Sequence, residues 1–139
     1  MRYLLDTCVL SELVKATPNA NVVAWLEACD EESMCLSVLT IGEIQKGIAK
    51  LTESKRRVDI QRWLDSDLRG RFGGRILPID QEVALTWGLI QGEAERQGVS
   101  IPTIDGLLGA TAAAHNLTVV TRDEHIGRTG VRILNPWAM

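Results

Sequence analysis

Asp105-Gly106-Leu107-Leu108-Gly109-Ala110-Thr111-Ala112-Ala113-Ala114-His115, with Leu117-Thr118-Val119-Val120-Thr121-Arg122-Asp123 close behind it, decides the fold class. The first segment reads as a helix of small residues, over 105–115. Small side chains let its axis approach a sheet and neighbouring helices closely, which makes it a central element. The second contains a short β-branched run, 118–121, bounded by polar residues, and reads as a strand. The same alternation extends in both directions. Strands are expected at 2–5, 34–37, 76–79, 118–121 and 131–134, and helices at 9–16, 20–30, 40–50, 53–69, 81–97 and 105–115. The third of these helices carries Ile41, Ile44, Ile48 and Leu51 at helical spacing. Strands alternating with helices imply an α/β fold on a mostly parallel five-stranded sheet. Pro18-Asn19, Gly73-Gly74 and Gly98 punctuate the pattern without forming a linker, so the 139 residues read as one domain, 1–139.

In such a sheet the residues just past the strand ends converge on one edge, where ligands bind. Acids stand at those places. Asp6 follows the first strand, Asp123 follows the fourth, Glu43 opens the helix after the second, and Asp105 opens the helix leading into the fourth. Two ionised carboxylates about 4 Å apart repel by roughly 4 kcal/mol at an effective dielectric near 20. Four together must take up protons or hold a cation. Each acid also has a local explanation. Asp6 and Asp123 are good helix caps, Thr40-Ile41-Gly42-Glu43 has the spacing of a capping box, and Thr103 is available to cap ahead of Asp105. Asp80, Glu12 and Asp30 also lie near element ends, so position alone does not single out four.

Composition narrows the chemistry. Three cysteines, Cys8, Cys29 and Cys35, contain no Cys-x-x-Cys, and read as small buried apolar residues rather than a disulfide framework or zinc ribbon. His115 and His125 form no His-x-x-x-His pair, which leaves oxygen ligands and hence Mg²⁺ or Mn²⁺. No apolar run approaches the roughly 18 residues of a membrane span, and Asp6 interrupts the N-terminus too early for a signal sequence. A cytoplasmic protein is expected. The net charge of −3 disfavours a generally nucleic-acid-coating surface. Lys46, Lys50, Lys55, Arg56, Arg57 and Arg62 nevertheless share one stretch, with Arg69, Arg71 and Arg75 behind it, as either a solvated helix face or a phosphate-guiding surface. Gly70-Arg71-Phe72-Gly73-Gly74 lacks the Gly-Lys-Ser/Thr ending of a phosphate loop and reads as a connector.

Four stretches in order, Leu4 to Leu13, Ser37 to Ile44, Pro102 to Ala112 and Leu117 to Asp123, resemble the successive motifs of PIN-domain ribonucleases. The likeness is closest to the VapC toxins of type II toxin–antitoxin systems, in their FitB-like branch. The resemblance implies a three-layer α/β/α sandwich and Mg²⁺- or Mn²⁺-dependent cleavage of RNA. It implies that Asp6, Glu43, Asp105 and Asp123 form the acidic metal pocket. It also implies a cognate VapB-type antitoxin, a homodimer, and promoter DNA bound only through the antitoxin complex. Two positions depart from the pattern. Cys8 stands where the family commonly has asparagine, and Asp123 where asparagine with a further acid downstream is frequent, so Glu124 is an alternative to Asp123.

Rival functions fit less well. A phosphoacceptor signalling module needs paired acids after its first strand and a lysine after its last, whereas Asp6 stands alone and Asn135-Pro136 follows the fifth strand. A haloacid-dehalogenase-like phosphatase needs Asp-x-Asp where this chain reads Asp6-Thr7-Cys8. A non-catalytic RNA-binding domain remains open. Thr7, Ser11 and Thr121 lie beside the acids, as ligand-orienting groups or as caps. The four tryptophans read as base-stacking platforms or, more commonly, as packing groups. Trp63 with Ile60, Leu64 and Leu68 forms an apolar face that, with the first two helices, offers a groove to a partner helix.

Overall fold

Consecutive residues of a strand point to opposite faces of its sheet, and three strands here are apolar on both. The computed structural model describes residues 1–139. Its strands are β1 (Tyr3–Leu5), β2 (Met34–Ser37), β3 (Ile76–Leu77), β4 (Thr118–Val120) and β5 (Ile133–Leu134). All neighbouring pairs are parallel, in the order β3-β2-β1-β4-β5. Leu5, Leu36 and Val120 face one core, and Leu4, Cys35 and Val119 face the other. A sheet buried on both sides needs helices on both sides.

The first core is closed by α1 (Thr7–Glu12), α2 (Ala20–Ala28), α3 (Val38–Ala49) and the segment from α4 (Lys55–Arg62) to α5 (Arg69–Phe72). Leu10, Val22, Ile48, Leu64 and Phe72 come from these elements, all at most 2% exposed. Burying each such side chain contributes about 1.5–3 kcal/mol before the entropy of ordering it is counted. The second core is closed by α7 (Thr103–His115) and α8 (Glu124–Gly127), through Leu108, Ala112 and Ile126, and α6 (Gln81–Arg96) packs on α7. The result is the expected three-layer α/β/α sandwich.

Glycines permit the tightest approaches. A Cβ on Gly106 would lie 3.1 Å from Trp87 Nε1 of α6, and one on Gly109 would lie 2.5 Å from Thr129 Oγ1. The small-residue helix is thus central, as its composition predicts.

The helix expected over 53–69 is three pieces. Ser54 caps it by accepting from Arg57 N, so α4 starts at Lys55. Trp63–Leu68 then widens into a π-helix before α5. The strand expected over 76–79 stops at Leu77, because Pro78 has no N–H to extend the ladder. The helix expected over 9–16 begins earlier, at Thr7, under the cap supplied by Asp6. The one-turn helix α8 is too short for apolar periodicity to reveal.

Candidate functional site

The chain lays down β1, β2 and β3 on one side and then crosses to place β4 beside β1. The crevice of such a fold opens where that order reverses, past the ends of β1 and β4. Asp6 stands one residue beyond β1, its N–H bonded to Val120 O at 3.0 Å. It caps α1 while its carboxylate collects donors. Oδ1 accepts from Thr7 N at 2.8 Å, and Oδ2 accepts from Thr121 Oγ1 at 2.7 Å. Only 8% of Asp6 is exposed, so these bonds replace most of its hydration.

Two threonines extend the network in opposite directions. Thr7 Oγ1 donates to Glu43 Oε1 at 2.8 Å. Thr121, fully buried, accepts from Asp123 N at 2.9 Å with the same hydroxyl that serves Asp6. Glu43 is therefore in the second turn of α3 rather than at its opening. The expected capping box is absent: Ser37 caps α3 by accepting from Leu39 N, and the buried Thr40 Oγ1 has no partner. Thr103 does not cap α7 either, since Pro102 holds the cap position and Thr103 is already helical.

Asp105 lies in the first turn of α7, half-buried. Burial pushes its carboxyl above the ordinary range, and Asp123, Asp6 and Glu43 push the same way against a smaller opposing pull from His125. No hydrogen bond contributes to that balance, and the charged form is left under strain. Without a counter-ion, this group favours the folded state below its unfolded pKa. That contribution is lost as pH rises through the raised value.

Asp123 caps α8, accepting from His125 N at 2.9 Å, and its Oδ1 also lies 2.9 Å from His125 Nδ1. Ligand atoms of Asp105, Asp123 and His125 lie within 4.8 Å of one another. A ring nitrogen thus lies among the carboxylates, beside the oxygen ligands that the sequence leads one to expect. The signal was local: a histidine two residues past a capping aspartate returns to that aspartate's oxygen, whatever its distance from the other histidine. Glu124 is exposed at the start of α8, and Asp123 is the acid that acts on Asp105.

Cys8 is no inert core residue. Its Sγ donates to Asp6 Oδ2 and lies beside Thr121 Oγ1, each at 3.6 Å. Burial and the Asp6 charge hold the thiol above its ordinary range, so it is a protonated donor to the network. Glu12, in contrast, is buried in a local clamp with Lys15 and the Asn19 N–H, outside the network.

A groove of about 340 Å³ opens beside Thr7 and Glu43, with Ile44, Ile48, Ile60 and Trp63 among its walls and Lys15 and Arg56 contributing cations. It lies between α1, α3 and α4, so the first helix lines it as expected while the second does not, and Leu64 and Leu68 belong to the core instead. A larger depression of about 590 Å³ runs along α4 between mixed charges such as Arg57, Arg62, Glu53 and Asp65. It lacks all four expected acids, whereas the smaller groove is lined by one of them, Glu43. Of the basic residues further along, Arg71 and Arg75 are committed to Glu31. The Arg122 guanidinium covers the Trp137 ring at 4.8 Å, which leaves that face unavailable for a base.

A parallel α/β sandwich carrying carboxylates over its topological switch point defines a class of proteins with an acidic site at the sheet edge. The chain belongs to the PIN domain family, whose pattern matches residues 3–131. It is 39% identical to Toxin FitB of Neisseria gonorrhoeae over 135 residues, 96% of this chain and 97% of that one. It is 37% identical to the VapC ribonuclease Y4jK of Sinorhizobium fredii, again over 96% of each. It is similar to the solved structure of FitAB bound to an IR36 DNA fragment, with a TM-score of 0.91, 38% identity, and 97% of this chain and 95% of that chain covered.

Proposed function

We propose that the chain is the toxin of a type II toxin–antitoxin pair and a Mg²⁺- or Mn²⁺-dependent endoribonuclease. The carrying observation is the network in which Asp6 is tied to Glu43 through Thr7 and to Asp123 through Thr121, with Asp105 strained by all three acids. Family membership and the names of its relatives supply the reaction class.

The donor set fits a hard divalent cation. Carboxylates dominate it, and one of them, Asp105, is held toward its neutral form by burial and by the charges of Asp123, Asp6 and Glu43, a strain that a cation would relieve. Asp6 and Asp105 would hold the ion, with Asp123 completing its surroundings. When bound, such an ion lowers the pKa of water and offsets charge on a phosphodiester under attack. The protein's own part is placement. Thr7 and Thr121 fix their carboxylates by donating to one oxygen each, and Glu43, held at Oε1, is available through Oε2 to orient the attacking water. Arg56 lies along the groove that continues from Glu43 and would attract the RNA backbone, whereas Lys15 beside it is paired with Glu12.

The partners follow from the same reading: an RNA substrate, a cognate VapB-type antitoxin that inhibits the enzyme, a second copy of the chain, and promoter DNA only through the antitoxin complex. The relative solved with DNA as FitAB supports this assembly. No helix is long and apolar enough to cross a membrane, in keeping with action in the cytoplasm. Purified protein is expected to cut single-stranded RNA internally with Mg²⁺ or Mn²⁺ present. Chelation should reduce cutting to background and added ion should restore it. Cleavage that persists after exhaustive chelation contradicts the proposal.

A further inference from the structure

The aspartate and glutamate side chains leave one neighbour of the crevice unexplained. His125 is half-exposed, with 52% of its side chain accessible, and so contributes little packing. Its ring is nevertheless fixed. Nδ1 lies 2.9 Å from Asp123 Oδ1, and since an ionised carboxylate only accepts, Nδ1 must carry the proton. In the neutral ring Nε2 is then the nitrogen with the free lone pair. A carboxylate holding one ring N–H so that the other nitrogen can coordinate is the usual support of a metal-bound histidine. A ligand atom of His125 also lies within 4.8 Å of ligand atoms of both Asp105 and Asp123.

We infer that His125 is a nitrogen ligand of the divalent cation and makes this site prefer Mn²⁺ over Mg²⁺. The inference rests on the metal-dependent reading of the crevice and adds the donor that sets ion choice. Imidazole nitrogen suits later and softer ions, whereas Mg²⁺ holds to oxygen and to its waters. Three carboxylates alone would give little reason for discrimination.

The test is pulsed electron paramagnetic resonance of Mn²⁺ added to the full-length protein. Wild type should show ¹⁴N modulation from a directly bound imidazole, replaced by the ¹⁵N pattern when histidine is isotopically labelled. His125→Ala should lose the modulation, and His115→Ala should keep it. His115 lies at the other end of α7, ten residues or about 15 Å from Asp105. Titration calorimetry should show Mn²⁺ affinity falling by roughly tenfold or more in His125→Ala, with Mg²⁺ affinity changed by less than about twofold. Mn²⁺ bound without nitrogen modulation, or modulation that survives His125→Ala, overturns the inference while leaving the carboxylate site standing. Absence of any bound Mn²⁺ overturns both.

Discussion

Asp6→Asn is expected to lower the rate of RNA cleavage by about 10²- to 10³-fold or more, because a charge aimed at the reacting centre acts in a site shielded from water. The fold should survive. An asparagine Oδ1 can still accept from Thr7 N, and the new amide can donate to Thr121 Oγ1 if that hydroxyl turns round. Removing one negative charge also relieves the repulsion that strains Asp105. The melting temperature of the ion-free variant should therefore stay close to wild type while its Mn²⁺ affinity collapses. Thermal denaturation, ion titration and single-turnover cleavage on one preparation check all three. Undiminished cleavage by a folded Asp6→Asn protein sinks the assignment of Asp6.

Gly109→Val should cost about 2–3 kcal/mol of stability, through overpacking. The added Cβ would meet Thr129 Oγ1 at 2.5 Å, Cγ2 at 2.6 Å and Cβ at 2.7 Å. Thr129 cannot yield freely, since its hydroxyl is bonded to Ile126 O at 2.6 Å and Ile126 is fully buried. Valine gains only a few tenths of a kcal/mol over glycine in helix propensity. For a chain of this size the midpoint should fall by roughly 10 °C. Displacing Thr129 also pushes on α8, whose cap is Asp123, so ion affinity should weaken as well. Gly92→Ala, on the exposed side of α6 with no atom near its Cβ, is the control and should be neutral or stabilising by up to about 1 kcal/mol. Equal stability of the two variants would show that α7 does not need its glycine.

The fold was readable because each layer leaves a periodic trace. Leu4-Leu5 and Val119-Val120 are apolar on both faces of the sheet, and the glycines and alanines of α7 announce a close approach. Boundaries were less readable where local chemistry decides them, as at Pro78, or where one turn leaves no period, as in α8. Within the site, parallel topology explains why Asp6 and Asp123 come together although they are 117 residues apart in sequence. Spacing could not choose the four acids among others near element ends, and family resemblance made that choice. The threonines were visible only as neighbours of acids, and their roles required coordinates. Thr121 serves two residues at once, which no one-dimensional pattern encodes. The place of His125 beside Asp123 and Asp105 is not legible in the spacing of the two histidines, because the one-turn helix α8 brings its ring back to Asp123. Cys8 was read by its residue type, whereas its depth beside Asp6 makes it a donor.

The most direct measurement is anomalous diffraction from crystals of the wild-type protein soaked in millimolar Mn²⁺. The account predicts a peak in the crevice past β1 and β4, with oxygens of Asp6 and Asp105 at about 2.0–2.2 Å and Asp123 beside it, at the short distances of hard-ion sites. An occupied lattice elsewhere with no density between those carboxylates, at a pH where all are ionised, would contradict it.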